Sequence, residues 1–168
     1  MIEPFIITGE IDARVTNNFL SLAAAKIITD VVICSPGGDI GAMFGMFDVI
    51  RMQGINTHVV GMAQSAAAVL SQAGHKRTMT NASLLLFHGP EENVSDRDFR
   101  LYTQMAEMVS QATGLAIPEA HGLFDGMFIN ANKAQQLGLI DEIATENPVD
   151  PKDSSELRWT QDVRRTSR

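Results

Sequence analysis

A single cysteine, Cys34, excludes any internal disulfide, and its place in an apolar run predicts burial rather than reactivity. No stretch reaches the roughly 18 apolar residues of a membrane-spanning helix, so no membrane partner is expected. Positive charge is also scarce: 13 Lys and Arg stand against 20 Asp and Glu, a formal net charge of −7. That balance argues against a general phosphate-binding surface, so nucleic acid is not an expected partner. The basic cluster Arg164, Arg165 and Arg168 reads as a solvated end. No basic region precedes the first apolar run at Met1-Ile2-Glu3-Pro4, so a signal peptide is not expected and cytoplasmic placement is the default. There is no internal repeat.

What is present describes one globular domain. Forty-five per cent of the 168 residues are apolar, enough to fill a core. Residues 1–146 form the expected domain; residues 147–168, rich in proline, charge and serine, read as a mobile charged tail.

Periodicity divides the domain into alternating elements. Strands are predicted over 4–8, 30–34, 57–60, 76–79 and 83–88. Helices are predicted over 11–25, 41–53 and 65–73, the last two ended by Gly54 and Gly74. In 30–34 the run is apolar on both faces, as in a buried parallel strand. This alternation indicates an α/β fold with a mainly parallel sheet of βαβ units. From Asp96 the pattern turns helical, with a stripe of Leu101, Met105, Met108 and Ala112. A methionine-rich stripe is usually core; Leu101, Met105 and Met108 also exceed the apolar content a solvent-facing helix needs, which fits burial against another subunit. Pro118 suits the first turn of a further helix, and Asn130 is placed to cap one ending at Gly138.

Three motifs carry chemistry. Ser35-Pro36-Gly37-Gly38 follows a strand, and its glycines can present backbone N–H groups without side chains in the way. Ser65, in Gly61-Met62-Ala63-Gln64-Ser65-Ala66, stands where a strand turns into a helix, so helix N–H groups face its oxygen. His88 ends the apolar strand Leu84-Leu85-Leu86-Phe87, where it could take the serine proton. Ordinary structural roles suffice for His58 inside a strand, His75 in a turn and His121 in an amphipathic helix.

In order and spacing these motifs resemble those of the Clp protease proteolytic subunit family. Phe128-Ile129-Asn130-Ala131 and Gly138-Leu139-Ile140-Asp141-Glu142-Ile143 are similar to that family's closing helix and strand. The likeness is collinear from about Phe5 to Ile143. It implies a crotonase-like α/β fold with a helical handle, and a serine endopeptidase enclosed in heptameric rings, possibly paired into a double ring. By the same resemblance Ser65 is the nucleophile and His88 the base, with the N–H groups of Gly38 and Ala66 as the oxyanion hole. Peptide or unfolded polypeptide substrates would lie as an added strand beside Gly37 and Gly38. Small Ala66, where the family often has a bulkier residue, implies a roomier first specificity pocket. No cofactor or metal is implied, and an AAA+ unfoldase is an implied partner.

The chain departs from the family pattern in three places. The family's catalytic aspartate falls on Gly126 here; Asp125 is one residue away and reads either as the third catalytic group or as a solvated helix-end aspartate. The stretch from His88 to Thr113, which holds the ring-to-ring handle, is shorter than the family's. Little precedes the first strand, where the family has an axial loop that meets its unfoldase. Rival readings are a catalytically inactive ring subunit, a crotonase-type acyl-CoA enzyme, and a Ser–Lys peptidase using Lys76.

Overall fold

A computed structural model of the chain describes residues 4–89 and 95–144; the tail expected over 147–168 lies outside the described residues. Within them the alternation read from the sequence becomes strands β1 (Phe5–Thr8), β2 (Asp30–Ser35), β3 (Asn56–Gln64), β4 (Arg77–Thr80) and β5 (Leu84–His88). Helices α1 (Ala13–Ala24), α2 (Ile40–Gln53) and α3 (Ala66–Ser71) fall between the first four strands. Then come α4 (Asp96–Thr113), α5 (Ile117–Gly122), β6 (Asp125–Asn130), α6 (Ala131–Gln136) and β7 (Glu142–Ala144).

Side-chain caps set the helix starts. Asp12 Oδ1 accepts from the Val15 N–H at 2.8 Å to open α1, and Asp39 Oδ1 from the Ala42 N–H at 2.6 Å to open α2. Gly54, left-handed at φ 67°, closes α2. Asn130 caps α6, as its sequence position suggests, accepting from the Lys133 N–H.

The sheet runs β1-β2-β3-β4-β7, parallel throughout; β5 is parallel to the second half of β3, and β6 is antiparallel to β5. β3 is longer than the sequence suggested because Gly61 does not end it. Between Val59 and Ala63 the register with β2 slips, and Gly61 sits at the slip with φ +83° and its N–H on Ser83 Oγ at 2.9 Å. This bulge lets one strand serve two partners: Thr57–Val59 pair with β4, and Met62–Gln64 with β5. The second pairing carries Ser65 to the end of β5.

Helices α1, α2 and α3 supply the core with Phe19, Ala23, Met43, Met46, Phe47, Ile50 and the whole of α3. Along β2, Val31, Ile33 and Ser35 are buried and Asp30, Val32 and Cys34 are not. Cys34 is therefore exposed, against expectation, because strand alternation puts it on the sheet's opposite face. The α4 stripe takes the core role expected of it in part. Met105, Ala106 and Val109 are buried and Leu101, Met108 and Ala112 half-buried, with α4 packed on α3 and α5. The chain's own helices thus account for much of the apolar character that suggested a subunit contact.

His58 has the structural role expected of it. Its Nε2 meets Asp30 Oδ1 at 2.8 Å and its Nδ1 meets Thr78 Oγ1 at 2.8 Å, joining β2, β3 and β4. Burial pushes the Asp30 carboxyl up, but hydrogen bonds from Thr29, His58 and Asn56 outweigh it and hold Asp30 below its ordinary value. A carboxylate lowered on folding adds stability above its unfolded pKa and loses it as pH falls through the folded one. Asp30→Asn is therefore expected to melt a few degrees below the wild type at pH 7, with the gap closing in acid below about pH 4. Thermal melts at pH 7 and pH 3 check this; equal melting at pH 7 contradicts it.

Candidate active site

Ser65 lies between β3 and α3 with no loop residue on either side. Its N–H still donates in strand fashion, to Leu86 O at 2.8 Å, while its carbonyl already accepts from the Val69 N–H of the first helical turn at 3.2 Å. To serve both elements it takes φ 53° and ψ −125°. Among the described residues only Lys26 shares a positive φ without being glycine. Such backbone costs on the order of 1–3 kcal/mol and persists only where its surroundings over-determine it. The result is a sharp strand-to-helix elbow, with a side chain that makes no cap bond to α3.

The glycine pair lies against this elbow. A Cβ on Gly37 would fall 2.8 Å from Gln64 O, 2.9 Å from Ser65 Cβ and 3.1 Å from Ala66 N. A Cβ on Gly38 would fall 2.3 Å from Ile11 O. Both positions thus require glycine, and their φ values of 102° and 145° agree. The Ile11 N–H donates to Gly37 O at 2.7 Å, and the Asp39 N–H donates to Ile11 O at 2.8 Å. Gly37 C=O and Gly38 N–H belong to one peptide unit and point opposite ways, so the Gly38 N–H faces away from Ile11. The Ala66 N–H, first in α3, has no intrahelical acceptor. The Gly37 Cα thus lies against Ser65 and the first N–H of α3. The Ala66 methyl is 1% exposed and sits in the core, so it does not widen an open pocket.

His88 closes β5, two residues beyond the Leu86 carbonyl that receives the Ser65 N–H. The strand register sets Asp125 directly across from His88, after a slip between Leu86 and His88. Asp125 opens β6 rather than ending a helix. The Gly89 N–H donates to Phe124 O at 2.6 Å, tying the two chain segments together. His88 Nδ1 lies 3.1 Å from Gly89 O, and a carbonyl can only accept. Nδ1 is then the protonated nitrogen, leaving Nε2 of the neutral ring with a lone pair. Among the described residues no hydrogen bond yet joins Ser65, His88 and Asp125 through their side chains.

The other candidates lie elsewhere. Lys76 precedes β4, whose Arg77 pairs with Thr57 near the start of β3. Ser65 is eight residues farther along that neighbouring strand, roughly 20 Å or more. Lys76 Nζ is bound to Glu142 at 2.6 Å, which raises its pKa, the wrong direction for a base. The Ser–Lys reading is overturned on both counts. His75 and His121 are exposed, at the end of the turn after α3 and on α5.

A sequence model of the Clp protease family matches residues 5–147, most of the chain. The chain belongs to the Clp protease family. Its mostly parallel α/β architecture is that family's crotonase-like fold. It is 31% identical over 152 residues to ATP-dependent Clp protease proteolytic subunit 2 of Chlamydia pneumoniae, across 82% of this chain and 75% of that protein. It is 34% identical over 130 residues to proteolytic subunit 1 of Cutibacterium acnes, across 67% of this chain and 60% of that protein. Identity to the proteolytic subunit of Pleurastrum terricola is 24% over 162 residues, across 84% and 83% of the two chains. Among the described residues no helix is long and apolar enough to cross a membrane.

Proposed function

We propose that the chain is a serine endopeptidase acting through an acyl-enzyme. The observation that carries this reading is the Ser65 backbone, held at φ 53° between strand and helix with its hydroxyl uncommitted. His88 Nε2 takes the hydroxyl proton as Ser65 Oγ attacks the scissile carbonyl carbon. The oxyanion that forms is met by the N–H groups of Gly38 and Ala66, each worth about 3 kcal/mol by the usual cost of losing such a donor. The imidazolium then protonates the leaving amine as the C–N bond breaks. Water, deprotonated by the same ring, attacks the acyl-enzyme and frees Ser65 with release of the acid. Asp125 stabilises the imidazolium once the His88 ring turns its Nδ1–H from Gly89 O toward β6. An extended substrate lies beside Gly37 and Gly38, held largely by main-chain bonds, which makes selectivity for side chains low.

Such an enzyme needs enclosure, since an open site of low selectivity would cut loops of its neighbours. We therefore propose a heptameric ring, able to pair into a double ring and to receive chains from an AAA+ unfoldase. The relatives' names, ATP-dependent Clp protease proteolytic subunits, support the part of this reading in which the chain is one subunit of an ATP-driven assembly. Labelling with a fluorophosphonate tests the serine, and its absence would leave the inactive ring subunit as the reading. Mass photometry at micromolar concentration is expected to give a particle near seven times 18.3 kDa or twice that. A stable species of 18.3 kDa would remove the compartment.

A further inference from the structure

Ser35 was read in the sequence only as the first residue of the glycine motif, yet its side chain has a position of its own. It is 3% exposed, at the end of β2, and its hydroxyl donates to Gly9 O at 2.6 Å while accepting from the Gly37 N–H at 3.1 Å. Gly9, at φ +84°, is the turn that leads from β1 toward Ile11. Ile11 in turn holds the Gly37 carbonyl. Gly37 is thus fixed on both sides, its N–H by Ser35 and its C=O by Ile11. These two bonds set two successive peptide planes, the second of which contains the Gly38 N–H. Two adjacent glycines have little steric resistance to rotation of the unit between them. A half-turn of that unit would aim the Gly37 carbonyl, instead of the Gly38 N–H, at the developing oxyanion.

We propose that Ser35 is a positioning residue for the oxyanion hole: by holding the Pro36–Gly37 peptide and the Gly9 turn that leads to Ile11, it keeps the Ile11-bonded Gly37–Gly38 peptide oriented with the Gly38 N–H toward the carbonyl attacked by Ser65. The inference rests on the serine-peptidase reading. Because the lock matters where charge develops, its loss lowers kcat and spares KM.

The test compares wild type, Ser35→Ala and Ser35→Thr on a fluorogenic peptide, with a peptide aldehyde as a mimic of the tetrahedral intermediate. Ser35→Ala is expected to lose roughly 10- to 100-fold in kcat and a similar factor in aldehyde affinity, with KM within about twofold. Ser35→Thr, which keeps the hydroxyl, is expected to recover most of both. A purely structural role would not separate kcat from KM in this way. Should the alanine variant fail to fold, Ser35→Cys fills the same space with a weak acceptor and carries the same expectation. Full kcat in Ser35→Ala overturns the proposal, while wild-type turnover and fluorophosphonate labelling keep the peptidase reading. If the wild type neither turns over nor labels, the peptidase reading fails, and hydrogen exchange over residues 35–39 decides the lock itself. Faster exchange in Ser35→Ala supports it, and unchanged exchange overturns it.

Discussion

Ser65→Ala is expected to abolish peptide turnover and fluorophosphonate labelling, a loss on the order of 10⁵ to 10⁶ in kcat. The fold should survive, because the change removes one oxygen that makes no cap bond to α3. Alanine does not relieve the backbone, since its Cβ meets the same crowding at φ 53° that serine's does. Glycine does, so Ser65→Gly should be equally inactive and yet melt above both alanine variant and wild type. That pair of results separates two roles of one residue: the oxygen serves chemistry, and the strained backbone sets where the oxygen stands. Turnover by Ser65→Ala at the wild-type rate would remove the nucleophile. Melting of Ser65→Gly below the alanine variant would mean that the elbow stores no strain.

The contrast between Ser65 and Asp125 shows what the sequence could and could not reveal. Alternating apolar runs and glycine punctuation were enough for a parallel α/β sheet, and for Ser65 at a strand-to-helix turn and His88 at a strand end. β6 was harder to see, because only Ile129 in Asp125–Asn130 is buried and its exposed residues include Met127 and Phe128. An edge strand with one buried residue has no period to detect. Without that strand, Asp125 could only be placed by counting from Phe128; the register sets it opposite His88. The bulge at Gly61 was hidden for a related reason. A glycine inside a strand pattern looks like a stop, and only the change of partner from β4 to β5 reveals a continuing strand. The Ser35 hydroxyl bond to Gly9 O joins residues 26 apart, a tertiary contact that local pattern does not encode.

His88→Ala should be almost as damaging as the serine change, because a serine hydroxyl is a weak nucleophile until a base takes its proton. Nucleophile and base act as one unit, so the double variant Ser65→Ala, His88→Ala should be no slower than either single one. The third group acts differently. Asp125→Asn leaves the nucleophile, the base and both N–H donors in place, and removes only the charge that steadies the imidazolium. A loss of about 10² to 10⁴ in kcat is expected, smaller than for His88→Ala. Fluorophosphonate labelling should slow in parallel, since it needs the same activated oxygen. The Gly89 carbonyl is the alternative acceptor for His88 Nδ1–H, at 3.1 Å, and could hold the ring in the correct tautomer unaided. If it does, Asp125→Asn will keep near-normal turnover while His88→Ala will not, and the third member is a backbone oxygen. Steady-state kinetics on the three variants decide between the carboxylate and the carbonyl. Undiminished turnover by His88→Ala would instead remove the proton acceptor on which both versions depend.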